Sequence, residues 1–365
     1  MIIDTEIHGS NGPVAAAGPK GVLMTEVGTE EAAPWGATTG AGMPRRLDLV
    51  LDPSVRAHVR REPGPRFPFP IPNGWFIVAR SDELVAGGVL SLHYFGRDLV
   101  AFRTEGGDAR VTGAYCAHLG AHLGVGGTVR GETVECPFHG WCYDGETGRC
   151  TDIPYGSGKI PTKAAIRAYP TLERNGMVWA WHHLEGKAPF YDVPVVPELA
   201  DPEWSEPYAA EFVIRTNCQE MAENNHDPAH FRFVHGTDAI PDQEIHIEGG
   251  YKRAVGMDGF FVRESFGLGL GVLRMTDTMT FLTSTTPVDD EHVHVRWIFT
   301  APASAGPGAA KQIAESFMGG VSQDIPIWEN KRYVERPVLL KDERSILDHR
   351  AWCTQFYSDP SKAID

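Results

Sequence analysis

Short, mostly hydrophobic runs alternate with glycine-rich turns over residues 66–185. Short hydrophobic runs bounded by turn residues predict strands. We therefore predict a small β-domain over this range. Its strand-like runs include residues 75–79, 99–102, 109–114, 133–136 and 177–182.

The pattern changes after a proline-rich stretch at residues 189–207, which we interpret as a linker. Beyond it, β-branched and aromatic residues alternate in three runs that predict an antiparallel sheet, namely residues 260–265, 274–286 and 292–300. Residues 309–328 are predicted to be helical. The predicted fold class is therefore α+β, with an all-β domain at residues 66–185 and a second domain of sheet and helices at residues 186–365.

The first 65 residues show no such periodicity. Residues 1–43 are rich in Gly, Ala, Thr and Glu, so we predict a disordered extension, and Met43 is a candidate for the natural start. Residues 44–65 are predicted to be a short lead-in segment with helical character.

Composition and charge narrow the class of protein. The chain has 365 residues, of which 42% are hydrophobic and 22% charged, as expected for a globular protein of two domains. Its net charge of −15 argues against nucleic acid or an anionic membrane as a partner. The sequence contains no run of about 20 apolar residues that would predict a membrane span, and its N-terminus does not resemble a signal peptide.

Cysteine usage favours a reducing, cytoplasmic compartment. The chain has six cysteines, and two of them belong to the motif described next. Cys142 and Cys150 would form a disulfide only if a hairpin brought them together.

Two short pairs of metal-binding residues are the most specific motif in the chain. Cys116 and His118 form the first pair, and Cys136 and His139 form the second, with 17 residues between the pairs. Two thiolates and two imidazoles are the ligands of an iron–sulfur cluster in which one iron takes both histidines. A zinc site is the alternative, but such sites usually pair Cys with Cys and His with His. His122 lies outside the ligand spacing, so we expect it to support the site from outside or to lie on the surface.

A second group follows about ninety residues later, as Asp227-x2-His230-x4-His235. Two histidines with a distant carboxylate make the ligand set of a non-haem Fe(II) oxygenase. Asp227 and His230 are predicted to share a helical face. His230 and His235 are five residues apart, so the helix must be distorted or end between them. The alternative is a polar helix whose histidines are exposed or cap it. His226 does not fit the spacing and is left out.

Two other patterns carry weaker signals. His292 and His294 share a strand face and would suit a metal pair, but we expect them to face solvent. The glycines of residues 267–271 have the wrong spacing for a dinucleotide-binding turn, and no βαβ pattern follows them.

The motifs in this order resemble the catalytic α subunit of Rieske non-haem iron oxygenases. They are most similar to the branch of 3-ketosteroid 9α-hydroxylase and the cholesterol 7-desaturases. Further stretches carry the resemblance: Pro-Asn-Gly-Trp at residues 72–75, the segment from Glu223 to His235, Gln323-Asp324 with Trp328, and Gln355-Phe-Tyr at residues 355–357. The resemblance covers residues 66–358.

The resemblance implies a Rieske domain followed by a helix-grip-like catalytic domain. It implies that Cys116, His118, Cys136 and His139 hold a [2Fe–2S] cluster, and that His230, His235 and Asp324 hold one mononuclear Fe(II). For Asp324, the alternative is a surface or helix-capping acid. The interval between His235 and Asp324 is shorter than expected for the steroid hydroxylases.

The resemblance also implies partners and a reaction. Electrons pass from NADH through a separate ferredoxin reductase or a ferredoxin, since this chain has no flavin or nicotinamide motif. A head-to-tail homotrimer brings the cluster of one subunit beside the iron of the next, and Asp227 bridges His139 of the neighbour and His230 of its own subunit. The alternative is that Asp227 merely caps the helix.

The implied reaction uses O₂ to hydroxylate a hydrophobic polycyclic substrate, most similar to a steroid. Two alternatives remain open. One is a Rieske oxygenase of secondary metabolism that cyclises or hydroxylates a non-steroid substrate. The other is a Rieske electron-transfer protein whose second domain is degenerate.

Overall fold

The computed structural model describes residues 66–238 and 242–364. The expectations for residues 1–43 and 44–65, and for Met43 as a start, therefore lie outside the described residues. Among those described, no helix is both long and apolar enough to cross a membrane.

The first part of the described chain consists of short strands, as the hydrophobic runs between glycine-rich turns predict. They are β1 (Gly74–Arg80), β2 (Val89–Tyr94), β3 (Arg97–Arg103), β4 (Ala109–Gly113), β5 (Thr128–Arg130), β6 (Thr133–Glu135), β7 (Cys142–Asp144), β8 (Cys150–Asp152), β9 (Ala168–Tyr169), β10 (Thr171–Arg174) and β11 (Met177–His182). They form three antiparallel sheets in the orders β1-β11-β10, β2-β3-β4-β9 and β5-β6-β7-β8. Phe102, Leu123 and Tyr143 are fully buried in the core that supports the two cysteine–histidine turns.

The second part contains one large sheet. Its strands are β12 (Tyr208–Ile214), β13 (Gln243–Glu248), β14 (Tyr251–Gly256), β15 (Phe261–Phe266), β16 (Leu270–Met275), β17 (Met279–Pro287) and β18 (Val293–Thr300), in the order β12-β18-β17-β16-β15-β14-β13. The expectation of one continuous run over residues 274–286 is wrong. A turn at residues 276–278 divides it into two strands, and Asp277 there adopts a left-handed conformation with φ of 54°.

Four α-helices accompany this sheet in the described residues: α1 (Cys218–Glu223), α2 (Ala229–Phe233), α3 (Ala309–Asn330) and α4 (Arg344–Cys353). The predicted helix at residues 309–328 is confirmed as α3. Its Phe317 packs edge-on against Phe281 of β17, with ring centroids 4.9 Å apart. Burial of this apolar contact fixes α3 over one face of the sheet.

The opposite face of the large sheet packs against the N-terminal strands. The hydroxyl of Thr286 donates to the carbonyl of Ile77 at 2.7 Å, and Tyr94 is hydrogen-bonded to His294 at 2.8 Å. His294 is therefore half-buried, and the expectation that it faces solvent is wrong. His292 is instead bonded to Asp289, so the two histidines do not form a pair. The boundary between residues 185 and 186 stays a prediction.

Candidate metal centres

Two turns of matching geometry present the cysteine–histidine pairs. Cys116 follows β4, and Cys136 lies between β6 and β7. In each turn the cysteine carbonyl accepts a hydrogen bond from a glycine four residues later, Gly120 at 2.9 Å and Gly140 at 3.0 Å. Both glycines have φ near 70°, a conformation that side chains disfavour. The sequence thus closes each turn so that its Cys and His face the other turn.

The four side chains of these turns converge. The rings of His118 and His139 lie 4.8 Å apart, and both cysteines are buried. Burial raises the pKa of the Cys136 thiol, although hydrogen bonds from the main chain of Phe138 and His139 oppose the shift. The buried Nδ1 of His118 has no hydrogen-bond partner among the described residues. An unpartnered imidazole nitrogen beside two buried thiols fits a metal cluster.

Residues outside the motif orient these ligands. The hydroxyl of Tyr143 lies 3.1 Å from Sγ of Cys116 and accepts the N–H of Ala117, so its own proton is free for the sulfur. Trp141 stacks on His118 with ring centroids 4.6 Å apart. Hydrogen bonds to cluster sulfurs raise the reduction potential. The sequence reasoning missed the role of Tyr143, because a tyrosine four residues beyond the motif carries no signal of its own.

The remaining residues near these turns are structural. His122 is half-buried, and its Nδ1 accepts the N–H of Gly124 at 3.1 Å. It supports the first turn from outside, as expected. All six cysteines are free thiols. A hairpin does bring β7 and β8 together, but Cys142 lies opposite Asp152 and not opposite Cys150.

The second site lies where α2 and α3 meet. His230 belongs to α2, which ends at Phe233, so the helix stops between His230 and His235 as their spacing predicts. Asp324 lies in α3. One ligand atom of each of His230, His235 and Asp324 lies within 4.8 Å of the others. No other such group of His, Cys, Asp or Glu occurs in the described residues.

Hydrogen bonds orient both histidines of this site. Nδ1 of His230 contacts the main-chain carbonyl of Asp227, and Nδ1 of His235 lies 3.0 Å from Oε1 of Gln323. Each contact fixes the proton on Nδ1 and leaves Nε2 as the acceptor. Nε2 of His235 accordingly faces the Asp324 carboxylate at 3.3 Å. This arrangement fits a metal ion with two imidazole ligands and one carboxylate ligand.

Asp324 is only 6% exposed. Burial raises its pKa, whereas the two histidines and a hydrogen bond from Asn224 at 3.2 Å favour the ionised form. A buried carboxylate of this kind needs a cation to remain charged. Asn224 and Gln323 stand inside the motifs, yet the sequence reasoning gave them no role. Because Gln323 precedes Asp324 and Asn224 lies near His230 in the sequence, their positions could have indicated that they support the ligands.

Asp227 differs from the expectation in one respect. It precedes α2 with φ of −117° and ψ of 81°, so it does not share a helical face with His230. Pro228 explains this, because a residue before proline is disfavoured in the helical region. The contact with His230 uses the main-chain carbonyl, and the Asp227 side chain lines a cavity of about 400 Å³ together with His230 and Asp324.

His226 does not join the iron site. It is buried, its Nε2 lies 2.7 Å from the amine of Lys252, and its ring stacks on His349. Its exclusion from the ligand set agrees with this position.

Comparison with known proteins identifies the two halves of the chain. The family model described as the Rieske [2Fe-2S] domain matches residues 74–170. The model of the 3-ketosteroid 9alpha-hydroxylase C-terminal domain matches residues 180–257 and 260–357. Together with the fold, these matches define a Rieske-type non-haem iron oxygenase, an oxidoreductase.

Curated relatives specify the family. A cholesterol 7-desaturase of Bombyx mori is 32% identical, over 84% of this chain and 74% of that protein. The cholesterol 7-desaturase of Caenorhabditis elegans is 30% identical, over 80% of this chain and 78% of that protein. The oxygenase component of 3-ketosteroid-9-alpha-monooxygenase of Rhodococcus rhodochrous is 27% identical, over 84% of this chain and 89% of that protein. The chain belongs to the family of Rieske oxygenases that contains these proteins.

Solved structures share the fold. NdmA of Pseudomonas putida CBB5 superposes with a TM-score of 0.64 at 23% identity, covering 77% of this chain and 88% of that one. Dicamba monooxygenase bound to dicamba gives a TM-score of 0.59 at 18% identity, covering 78% and 96%. The prediction of a β-rich Rieske domain followed by an antiparallel sheet with helices is thus confirmed.

Proposed function

We propose that this chain is a terminal oxygenase component that hydroxylates a hydrophobic, steroid-like polycyclic substrate with O₂ and electrons from a separate reductase. The observation that carries the proposal is the convergence of His230, His235 and Asp324 in a chain that also has a Rieske domain. A protein that only carries electrons has no use for this second site.

We assign the ligands as follows. Cys116, His118, Cys136 and His139 hold the cluster, and His230, His235 and Asp324 hold Fe(II). The cluster supplies single electrons and the iron supplies oxygen activation when both are bound. The chain keeps both iron-site imidazoles correctly oriented through the Asp227 carbonyl and Gln323.

Exposed apolar residues support a head-to-tail homotrimer. Phe138, beside the cluster ligands, is 61% exposed, and Leu119 and Tyr155 are exposed as well. Around the cavity at the iron site, Phe233 is 80% exposed and Ile327 is exposed. Apolar patches of this kind mark interaction surfaces. We propose that the cluster turns of one subunit cover this cavity in the next, where the Asp227 carboxylate bridges His139 of the neighbour and His230.

An external electron donor and a cytoplasmic location complete the proposal. The relative from Rhodococcus rhodochrous is named an oxygenase component, which implies a separate reductase for that protein. We propose that NADH supplies electrons here through a ferredoxin reductase or a ferredoxin. The free thiols suit a reducing compartment.

The cluster assignment has a direct test. Purified protein should be red-brown, contain acid-labile sulfide, and show a Rieske-type electron paramagnetic resonance signal after reduction, because two imidazoles on one iron give that signature. A His139→Cys variant should shift the signal toward that of an all-thiolate cluster. Colourless protein with stoichiometric zinc would refute the assignment.

The structure sorts the apolar residues of the sheet into two groups. The first group pairs across strands on the face that packs against α3 and consists of Phe261, Leu273, Met275, Met279 and Phe281. Phe266 and Leu270 pack instead with the cluster of Trp75, on the opposite side. Leu273, Met279 and Phe281 of the first group are buried in the core, whereas Phe261 and Met275 are only partly buried against it. We propose that a hydrophobic ligand contacts this apolar face of the sheet.

Turnover tests the substrate class. With a surrogate reductase, NADH and O₂, an androstenedione-like steroid should be hydroxylated, because an apolar face favours a rigid apolar molecule. The amount of product should be proportional to the NADH oxidised. Product analysis by mass spectrometry with and without steroid measures this coupling. If steroids fail to stimulate turnover while a smaller aromatic or a pigment precursor succeeds, the steroid assignment is wrong and the alternative of secondary metabolism holds.

A further inference from the structure

Arg263 lies on the face of the large sheet that packs against α3, here called the inner face. In the sheet register, Arg263 on β15 lies opposite Ala254 on β14 and Leu273 on β16, and Leu273 lies opposite Phe281. Phe281 is the residue that contacts Phe317 of α3. Because directly paired residues of antiparallel strands share a face, the Arg263 side chain belongs to the same face.

The charge of Arg263 has no carboxylate partner among the described residues. Its guanidinium contacts the side-chain oxygen of Asn225, an uncharged amide. Burial lowers the pKa of Arg263 to about 10, yet the residue is only half-buried by surface area. Both facts fit a side chain that is surrounded by protein and still partly accessible. By contrast, Arg296 is paired with Glu211 and Arg350 with Glu223.

Lys252 lies at the same end of the inner face, but burial lowers the pKa of its amine to about 7. Lys252 lies opposite Ser265, two residues from Arg263 along β15. Its amine lies 2.7 Å from Nε2 of His226 and 2.9 Å from Nδ1 of His349, so its partners are imidazoles. Burial lowers the pKa of His226, and the charges of Lys252 and Arg263 lower it further, which keeps His226 neutral. Arg263, whose pKa stays near 10, is therefore the group at this end of the inner face that remains charged at neutral pH.

We propose that Arg263 binds a carbonyl oxygen of the substrate, from a ketone or a carboxylate, at one end of an otherwise apolar molecule. The proposal rests on the proposed function, because it assumes that the inner face receives the substrate. A guanidinium has five N–H donors and no acceptor, and Asn225 satisfies few of them. A buried cation retained without an acid is costly unless a ligand supplies the missing acceptor.

The position of Asn225 gives this contact a consequence for the reaction. Asn225 is two residues before Asp227 and five before His230. An oxygen held by Arg263 beside Asn225 would anchor one end of the substrate near the turn that carries the iron ligands. Arg263 would then select the substrate and set which carbon faces the iron.

Binding of matched ligands tests the assignment. Equilibrium dialysis of the holoenzyme would use two series, one built on androstane and one on anthracene, each with the parent hydrocarbon, a ketone and a carboxylate. We expect the wild type to bind a carbonyl-bearing member about 10- to 100-fold more tightly than its hydrocarbon, the range of a charge-assisted hydrogen bond. Arg263→Gln should abolish this preference, and Arg263→Lys should retain part of it.

The control is Arg253→Gln, on the exposed face of the neighbouring strand, which should leave the preference unchanged. Wild-type protein that binds no carbonyl-bearing member, or binds it no better than the hydrocarbon, overturns the proposal. So does an Arg263→Gln variant that weakens all ligands equally, since that indicates a structural role. Preference in the anthracene series without androstane binding would reject the steroid assignment and leave Arg263 as the anchor. If steroids are turned over but carbonyl-bearing ligands bind no better than hydrocarbons, the steroid assignment stands and Arg263 is not the anchor.

Discussion

Replacing Asp324 with alanine should remove the mononuclear iron and turnover while the cluster signal stays intact. Asp324 is the one carboxylate that lies with His230 and His235 in the described residues. Loss of a residue that merely orients a ligand weakens metal binding about 10- to 100-fold. Loss of the ligand itself should cost at least that much, so we expect turnover to fall on the order of 100-fold or more.

Iron analysis and the electron paramagnetic resonance spectrum of the Asp324→Ala variant measure both parts of this expectation. Glu315→Ala is the matched control, because Glu315 is an exposed acid of the same helix. If iron and activity survive in Asp324→Ala, the third ligand lies elsewhere. Asp277 and Asp289 would be tested next, although the structure places Asp289 against His292.

An Asp227→Asn variant should keep both metals and yet oxidise its reduced cluster much more slowly in the presence of substrate and O₂. The carbonyl that contacts His230 belongs to the main chain and survives the substitution. The carboxylate charge, which we propose to bridge the two subunits, does not survive it. We expect slowing on the order of 100-fold, comparable to the loss of other groups that support metal-bound histidines.

Single-turnover stopped-flow absorbance at the cluster band measures this rate. Asp238→Asn serves as the control, since Asp238 is an exposed acid shortly after His235. Wild-type kinetics in Asp227→Asn would refute the bridge. A strictly monomeric enzyme with full activity would also count against it, because the bridge requires a neighbouring subunit.

Local sequence patterns were sufficient for much of the fold. The strand-like runs predict β1, β11 and, in the large sheet, β15, β17 and β18, and the spacing of His230 and His235 predicts a helix that is distorted or ends between them. These features depend on neighbours in the sequence, such as strand periodicity and helix geometry. The two cysteine–histidine turns are predictable for the same reason.

Features that depend on distant contacts could not be predicted. His294 is half-buried because Tyr94, two hundred residues earlier, packs against it. Asp227 lies outside the helix because Pro228 follows it. This local signal was available, but the prediction that Asp227 and His230 share a helical face used only their spacing. Arg263 carries no motif at all. Its chemistry becomes visible only when the sheet register places it on the inner face beside Asn225.

The central claim is that one chain holds both a Rieske cluster and a mononuclear iron. Quantifying iron and acid-labile sulfide in the purified, reconstituted protein tests it most directly. The account predicts about three irons and about two sulfides per chain, from one [2Fe–2S] cluster and one further iron. About two irons and about two sulfides, with no further iron bound after reconstitution with Fe(II), would contradict the oxygenase and indicate an electron-transfer protein.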